Sequence, residues 1–471
     1  MISAMAHEGQ SETHRRQKSS AILSGSRDIV IPRVILIVAV FALTVIGLMM
    51  VYSSSSIEAI DAGTNPLSGL AKQCGVTLFA IALCAVIARC IPYYVWLDKV
   101  LNVFWGISIL LLILTMVMGT RMLGAQRWLV IGPINFQPSE FAKVVIVLTM
   151  ARIVYKARTD NRSLGWIASN SAIYVLLLLL LIYVAQSDLG TTAICLVGIL
   201  TVLILGDMPW QPLAILVAVI CVLGFAAIFL VGYRSDRMAF LNPQADALGS
   251  GYQLIRSFYA FGSGGLFGVG IGNSTEKYLY LPESDTDFIF AILGEELGLV
   301  GAFVVIVLFV AILIAGFKIA RKAPDMFGTM VAGGCTAMLV FQAFLNIGCV
   351  IGIFPTTGKP LPFISSGGSA MIGSYLLVAM ILSVSFASGS SSGIFDRRRD
   401  DLRIIHADQA SSSDRERHHR ESSLQRANGS ARLSNRQSRR SQEDLNRRSS
   451  QRVSSSGRTS NRSRDRTPRS F

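Results

Sequence analysis

Five carboxylates crowd into one short stretch of an otherwise apolar region. The segment LPESDTDFIFAILGEELG (281–298) carries Glu283, Asp285, Asp287, Glu295 and Glu296. Acidic groups at the mouth of an apolar helix are costly unless they are solvated, paired or functional. All five His lie in the two polar ends of the chain, at 7, 14, 406, 418 and 419. Imidazole metal sites and His acid–base catalysis are therefore excluded from the apolar body. Its chemistry must rest on carboxylates, Arg, Lys and hydroxyls.

Asp287 has two readings. Placed in the first turn of a helix, with Asp285 or Thr286 as cap, it is stabilised by the helix dipole and needs no other role. At 100° per residue, however, Asp287, Ala291, Gly294 and Gly298 fall on one narrow face. A carboxylate above a stripe of small residues points to a groove or a close helix approach.

Other polar islands interrupt the apolar body. GAQRWLVIGPINFQPSEFAK (124–143) contains Pro138-Ser139-Glu140, a helix start, and Glu140 can pair with Lys143 three residues on. That leaves Arg127 and Trp128 unexplained by capping. Gln186-Ser187-Asp188 makes a tight turn between two apolar runs, with Asp188 as the expected N-cap. In YQLIRSFYAFG (252–262), Leu254, Ile255, Phe258 and Phe261 share a helix face, whereas Gln253, Arg256 and Ala260 do not; a short interfacial helix is expected. GSGGLFGVGIGN (262–273) is half Gly. It is either a segment that lets backbone approach something closely or an anion cradle. NIGCVIGIFPTTGKPLPFISSGGS (346–369) is too polar and too rich in Pro and Gly for a continuous helix, and reads as partly re-entrant. Lys359, the sole cation there, either meets a substrate or is solvated.

The elements that must position these residues are membrane helices. About 20 apolar residues cross the hydrocarbon as a helix. Ten runs qualify, at roughly 31–52, 70–92, 97–118, 139–156, 168–186, 188–206, 212–232, 287–316, 326–351 and 369–388. The expected fold is an all-α polytopic membrane protein of about ten transmembrane helices, with a large extracytoplasmic loop between helices 7 and 8. That loop opens on the hydrophilic Gly232–Arg237. Arg89, Lys99, Arg152, Lys156, Arg158, Arg162, Lys318, Arg321 and Lys322 fall on the same side as Arg33 and Arg397–Arg399, so the positive-inside rule places both termini in the cytoplasm.

Composition agrees. The chain has 471 residues, only 15% charged and 52% hydrophobic, with a mean hydropathy of +0.52, unlike a soluble enzyme. Seven scattered Cys exclude a disulfide scaffold and form no metal motif. The net charge of +14 is concentrated at one end: 395–471 holds twenty Arg and ten acidic residues, a net of +10, with seventeen Ser. Such a segment cannot bury enough surface to fold. Three regions follow: a disordered cytoplasmic N-tail (1–29), a transmembrane body (30–390) and a disordered Arg/Ser-rich cytoplasmic C-tail (391–471). Emerging at the membrane face, the C-tail would meet anionic lipid or an acidic protein, with no nucleic acid expected. Its Ser beside Arg suit phosphorylation.

Five blocks, GAQRWLVIGPINFQPSEFAK, QSDLGT, GYQLIRSFYAFGSGGLFGVGIGNS, YLPESDTDFIFAILGEELGLVG and NIGCVIGIFPTTGKPLPFISSGGS, resemble the signature blocks of the shape, elongation, division and sporulation (SEDS) family, FtsW, RodA and SpoVE. The resemblance spans about 30–390 in order. GNSTEKYLYLPE is more similar to the division members, FtsW, than to RodA.

The resemblance implies ten transmembrane helices and peptidoglycan glycosyltransferase activity on lipid II, with a class B penicillin-binding protein transpeptidase and other division proteins as partners. The setting it implies is the bacterial plasma membrane at the septum. It marks Asp287 as essential for polymerisation. On that basis Asp287 is the expected general base. Arg127, Trp128, Lys277, Glu283 and Lys359 are candidate substrate contacts, with Gly264, Gly265 and Gly268 leaving room for the lipid-linked substrate. Glu140, Lys143 and Asp188 are structural. A divalent cation, Mg2+ or Mn2+, is compatible with a pyrophosphate substrate, but no ligand set is legible. Rival readings are a lipid II flippase, a RodA-like elongation polymerase and a non-enzymatic scaffold. No inverted repeat favours transport.

Overall fold

A computed structural model describes residues 27–388 apart from 62, 64, 123–124, 132–133, 230–241, 247, 250 and 279. Residues 1–26, the C-tail and the Gly232–Arg237 opening of the long loop lie outside the described residues; Arg27–Ile29, expected in the disordered N-tail, instead begin the first helix. Ten helices fall on the ten apolar runs. They are α1 (Arg27–Asp61), α2 (Ser68–Cys90), α3 (Val100–Met118), α4 (Pro138–Thr159), α5 (Leu164–Val184), α6 (Leu189–Leu205), α7 (Trp210–Phe229), α9 (Ile289–Arg321), α10 (Met326–Val350) and α11 (Gly368–Ser388). Between the seventh and eighth of these lies α8 (Tyr252–Gly264).

Seven of these helices are long and apolar enough to cross a membrane: α1, α2, α3, α5, α9, α10 and α11; α6 and α7 contribute shorter apolar stretches. The chain is an all-α polytopic membrane protein in its body. α4 is too polar to be one of them because it carries Glu140, Lys143, Arg152, Lys156 and Arg158. It compensates by burial: from Pro138 to Val154 only Phe141 is less than buried. Lys143 Nζ pairs with Glu140 Oε2 at 2.7 Å, as the i,i+3 spacing requires, and donates to Gln342 Oε1 at 2.7 Å. α4 packs on α3, α6 and α10, and α9 packs on α1 and α10. α10 and α11 are mostly buried, whereas α2, α3 and α5 turn large apolar side chains outward, as a lipid-facing surface requires.

Three features depart from a plain helical bundle. First, 120–136 is not irregular: Thr120–Met122, Ala125–Ile131 and Ile134–Phe136 form a three-stranded antiparallel meander, β1-β2-β3. Pro138 then starts α4 at its first turn, where a missing N–H costs nothing. Second, α5 loosens into two π-helical turns, Ala172–Leu176 and Leu181–Ala185. Within the first, Trp105 Nε1 donates to the Tyr174 carbonyl at 2.7 Å.

Third, α9 is broken at Gly298, whose φ of 66° and ψ of −169° are not helical. The expected stripe of Asp287, Ala291, Gly294 and Gly298 therefore does not continue as one face. The Gly-rich segment fills the break. The Val269 and Gly270 N–H groups donate to the Glu295 and Glu296 carbonyls at 3.0 and 3.1 Å. In return, the Leu299 and Val300 N–H groups donate to the Gly265 and Leu266 carbonyls at 3.0 and 3.1 Å. A Cβ on Gly264 would collide with the Gly294 carbonyl, and one on Gly268 with that of Glu296. The glycines thus serve close backbone approach to α9. An anion cradle is not what they form, because the Val269 and Gly270 N–H groups are occupied.

α8 also differs in detail. Its buried face is Leu254, Ser257, Ala260 and Gly264, against α9, and Phe258 is exposed. Ala260 turns inward because a small side chain permits close helix contact, and Ser257 Oγ reaches the Val350 carbonyl at 2.9 Å.

Candidate active site

α9 begins at Ile289, with Phe288 as N-cap and no side-chain cap. Asp287 therefore precedes the helix, and neither it, Asp285 nor Thr286 caps it. Thr286 Oγ1 instead donates to Glu283 Oε2 at 2.7 Å, and the Phe288 N–H to the Glu283 carbonyl at 3.1 Å. Glu283 takes a φ of 56°, so the acidic segment folds as a tight turn. Ser365 and Ser366 hold it from the other side: Ser365 Oγ donates to the Thr286 carbonyl at 2.6 Å and the Ser366 N–H to that of Asp285 at 2.8 Å.

Asp287 lines a cavity of about 190 Å³ with Arg127, Glu283, Asn346, Thr357 and Lys359. Gly358 sits between opposite charges: a Cβ there would lie 3.3 Å from Asp287 Oδ2 and 3.9 Å from Arg127 Nη1. Its φ of 64° also favours Gly. Arg127 comes from β2; Nε donates to the Gln186 carbonyl at 3.0 Å and Nη2 to that of Ser187 at 2.8 Å. Nη1 is left without a partner among the described residues.

Lys359 is buried rather than solvated. Its Nζ lies 2.5 Å from Asp188 Oδ2 and 2.7 Å from Thr191 Oγ1. Asp188 is the expected N-cap of α6, accepting from the Thr191 N–H at 3.0 Å. Burial alone would raise its pKa; Lys359 and Arg127 override that and hold it at about 2. Asp287 goes the other way. Burial, then the Glu283 charge, push it up to about 6, against the opposing pull of Lys359 and Arg127. Asp285 is also raised, by burial first. Asp188 is thus held charged, whereas Asp287 is poised near neutrality, the range in which a general base works.

The structure does not bring every candidate here. Lys277 is buried elsewhere, with Nζ 2.8 Å from Glu296 Oε1 and 2.9 Å from Ser53 Oγ. Glu295 accepts from the Thr275 N–H at 2.9 Å and its Oγ1 at 2.8 Å. Lys277, Gly264, Gly265 and Gly268 therefore brace α9 against α1 and α8. Trp128 is partly buried in β2 and does not line the cavity. Glu140 and Lys143 form their pair inside the bundle. Asn346, not singled out by its residue type at the outset, does line the cavity; the signal was an amide inside an apolar run.

A sequence profile for the FtsW/RodA/SpoVE cell cycle proteins matches residues 33–389. The chain belongs to this family. Among curated relatives, a probable peptidoglycan glycosyltransferase FtsW from Geobacter metallireducens is 38% identical over 360 residues, covering 75% of this chain and 94% of the relative. Stage V sporulation protein E of Bacillus subtilis is 37% identical over 366 residues, covering 75% and 97%. Among solved structures, a chain described under structural coordination of polymerization and crosslinking by a peptidoglycan synthase complex superposes with a TM-score of 0.60 at 25% identity, covering 75% of this chain and 97% of that one. The rod shape determining protein RodA of Thermus thermophilus gives 0.52 at 24% identity, covering 74% and 95%, a likeness of fold. The family match spans α1 to α11, including all residues of the cavity.

Proposed function

We propose that the chain polymerises lipid II into glycan strands, as a peptidoglycan glycosyltransferase. One observation carries the reading: a single cavity joins Asp287, with its pKa near 6, to the unpartnered Nη1 of Arg127, in a member of a family whose curated relatives bear that activity in their names.

The chemistry follows from the groups. A sugar 4-hydroxyl attacks the anomeric carbon of a lipid-linked disaccharide. Its O–H proton passes to Asp287 as the new C–O bond forms and the C–O bond to the pyrophosphate breaks. Arg127 Nη1 faces the charge that grows on the departing pyrophosphate, with the Lys359–Asp188 ion pair fixing the wall behind it. Single displacement inverts the anomeric carbon. No cluster of three or more potential ligands for Mg2+ or Mn2+ occurs among the described residues, so the residues present do not by themselves make a site for such an ion.

Both termini would be cytoplasmic, placing Asp287 on the outer side, where a class B penicillin-binding protein transpeptidase would cross-link the product. The septum is the favoured setting because relatives named FtsW match at 36–38% identity and GNSTEKYLYLPE resembles the division members. The Arg/Ser tail would bind anionic lipid or an acidic division protein.

The test is to purify the full chain with its cognate transpeptidase, supply labelled lipid II, and measure both strands and lipid II translocation in liposomes. Glycan strands are expected. Translocation without strands would overturn the reading in favour of a flippase.

A further inference from the structure

Asn346 is 2% exposed within α10, yet its Nδ2 donates twice: to the Asp287 carbonyl at 2.8 Å and the Lys359 carbonyl at 2.7 Å. Both acceptors are carbonyl oxygens, so only the amide nitrogen can face them and the orientation is fixed by chemistry. The two acceptors lie in separate segments, one leading into α9 and one in the connection from α10 to α11. One turn earlier, Gln342 Nε2 donates to the Pro360 carbonyl at 3.0 Å. α10 therefore holds the 359–360 backbone with two amides at i,i+4, and of these Asn346 alone also grips the Asp287 segment. Asn346 Oδ1 accepts no hydrogen bond from any described residue, although Asn346 lines the cavity. A buried acceptor left empty is destabilising unless a ligand donates to it.

We infer that Asn346 is a positioning residue for glycosyl transfer. It ties the main chain of Asp287 to that of Lys359 in the wall of the cavity. The inference rests on the reading of Asp287 as the base. The groups facing Asp287 are Glu283 and Asp285 from its own segment, Lys359 from the loop and Arg127 from β2. Releasing the clamp admits water to the carboxylate, and a carboxyl at 346, which cannot donate to both carbonyls, releases it too.

The test compares wild type, Asn346→Ala and Asn346→Asp for kcat, KM and the acidic limb of the pH–rate profile on lipid II. In Asn346→Ala, kcat falls about 10- to 100-fold, as misplacement of a reacting group does, KM rises, and the limb moves to lower pH. In Asn346→Asp the double donation is lost as well, so kcat falls by a similar factor and the limb moves in the same direction as in Asn346→Ala. A role in folding alone lowers the yield of active protein and leaves the limb in place in both, which would overturn the inference, as would wild-type kinetics. Asn346→Asp is nearly isosteric, so it decides the matter if the Ala variant fails to fold. A wild type with no acidic limb near pH 6 removes the base reading, and the inference with it. A wild type with that limb, shared by both variants, removes the inference alone.

Discussion

Lys359 and Asp188 form a buried ion pair, Nζ to Oδ2 at 2.5 Å, between the loop after α10 and the first residue before α6. Removing one partner of such a pair leaves an uncompensated buried charge, costing about 3–5 kcal/mol. Lys359→Met should therefore lower the unfolding temperature in detergent markedly. Asp188→Asn keeps an acceptor for the Thr191 N–H, so the double variant should recover most of the loss. Failure to recover would show that Lys359 acts through something other than this pair.

Arg127 and Lys277 should separate in kinetics, although both read as phosphate contacts in the sequence. Arg127→Ala removes a guanidinium that lines the cavity and should raise KM and lower kcat together. Lys277→Met breaks the brace to Glu296 and Ser53. It should lower thermal stability while kcat and KM per folded molecule stay within a few-fold of wild type.

The glycines of 264–270 yield a sharper contrast. In Gly264→Ala the added Cβ meets backbone atoms of Gly294 and Glu295, which cannot rotate away. The expected loss is about 1–3 kcal/mol of stability, typical of overpacking, with KM for lipid II unchanged. A raised KM at full stability would restore the anion-cradle reading.

Ionisation of Asp287 should be visible in stability as well as rate. An unfolded aspartate titrates near ~3.9, and the folded one at about 6, so the folded state holds the proton more tightly. Stability from this group is present below the unfolded value and lost as pH rises through 6. Asp287→Asn should accordingly melt above wild type at pH 7.5, the gap closing at pH 4. Equal melting temperatures at both pH values would show that Asp287 is not desolvated.

The helical frame was legible because hydrocarbon demands long apolar runs, and even charged α4 kept its run through the Glu140–Lys143 pair. Asp188 as a cap was legible for the same local reason: its partner Thr191 is three residues away. Contacts between distant segments were not. Lys359 lies 171 residues from Asp188, and nothing in either segment names the other. The break at Gly298 was hidden because small and apolar residues continue at helical spacing across it, so that only the φ of 66° reveals it. Lys277 misled for a related reason: a cation near the acidic segment looks like a substrate contact until Glu296 is seen to neutralise it. Arg127 was found because capping explained its neighbours and not itself.

Asp287→Asn, assayed for glycan strands from labelled lipid II with the cognate transpeptidase present, is the most direct measurement. Loss of the general base should lower the polymerisation rate by about 10²–10⁴-fold, with the variant folded and lipid II still bound. Strand synthesis at the wild-type rate would contradict the assignment of Asp287 as the base.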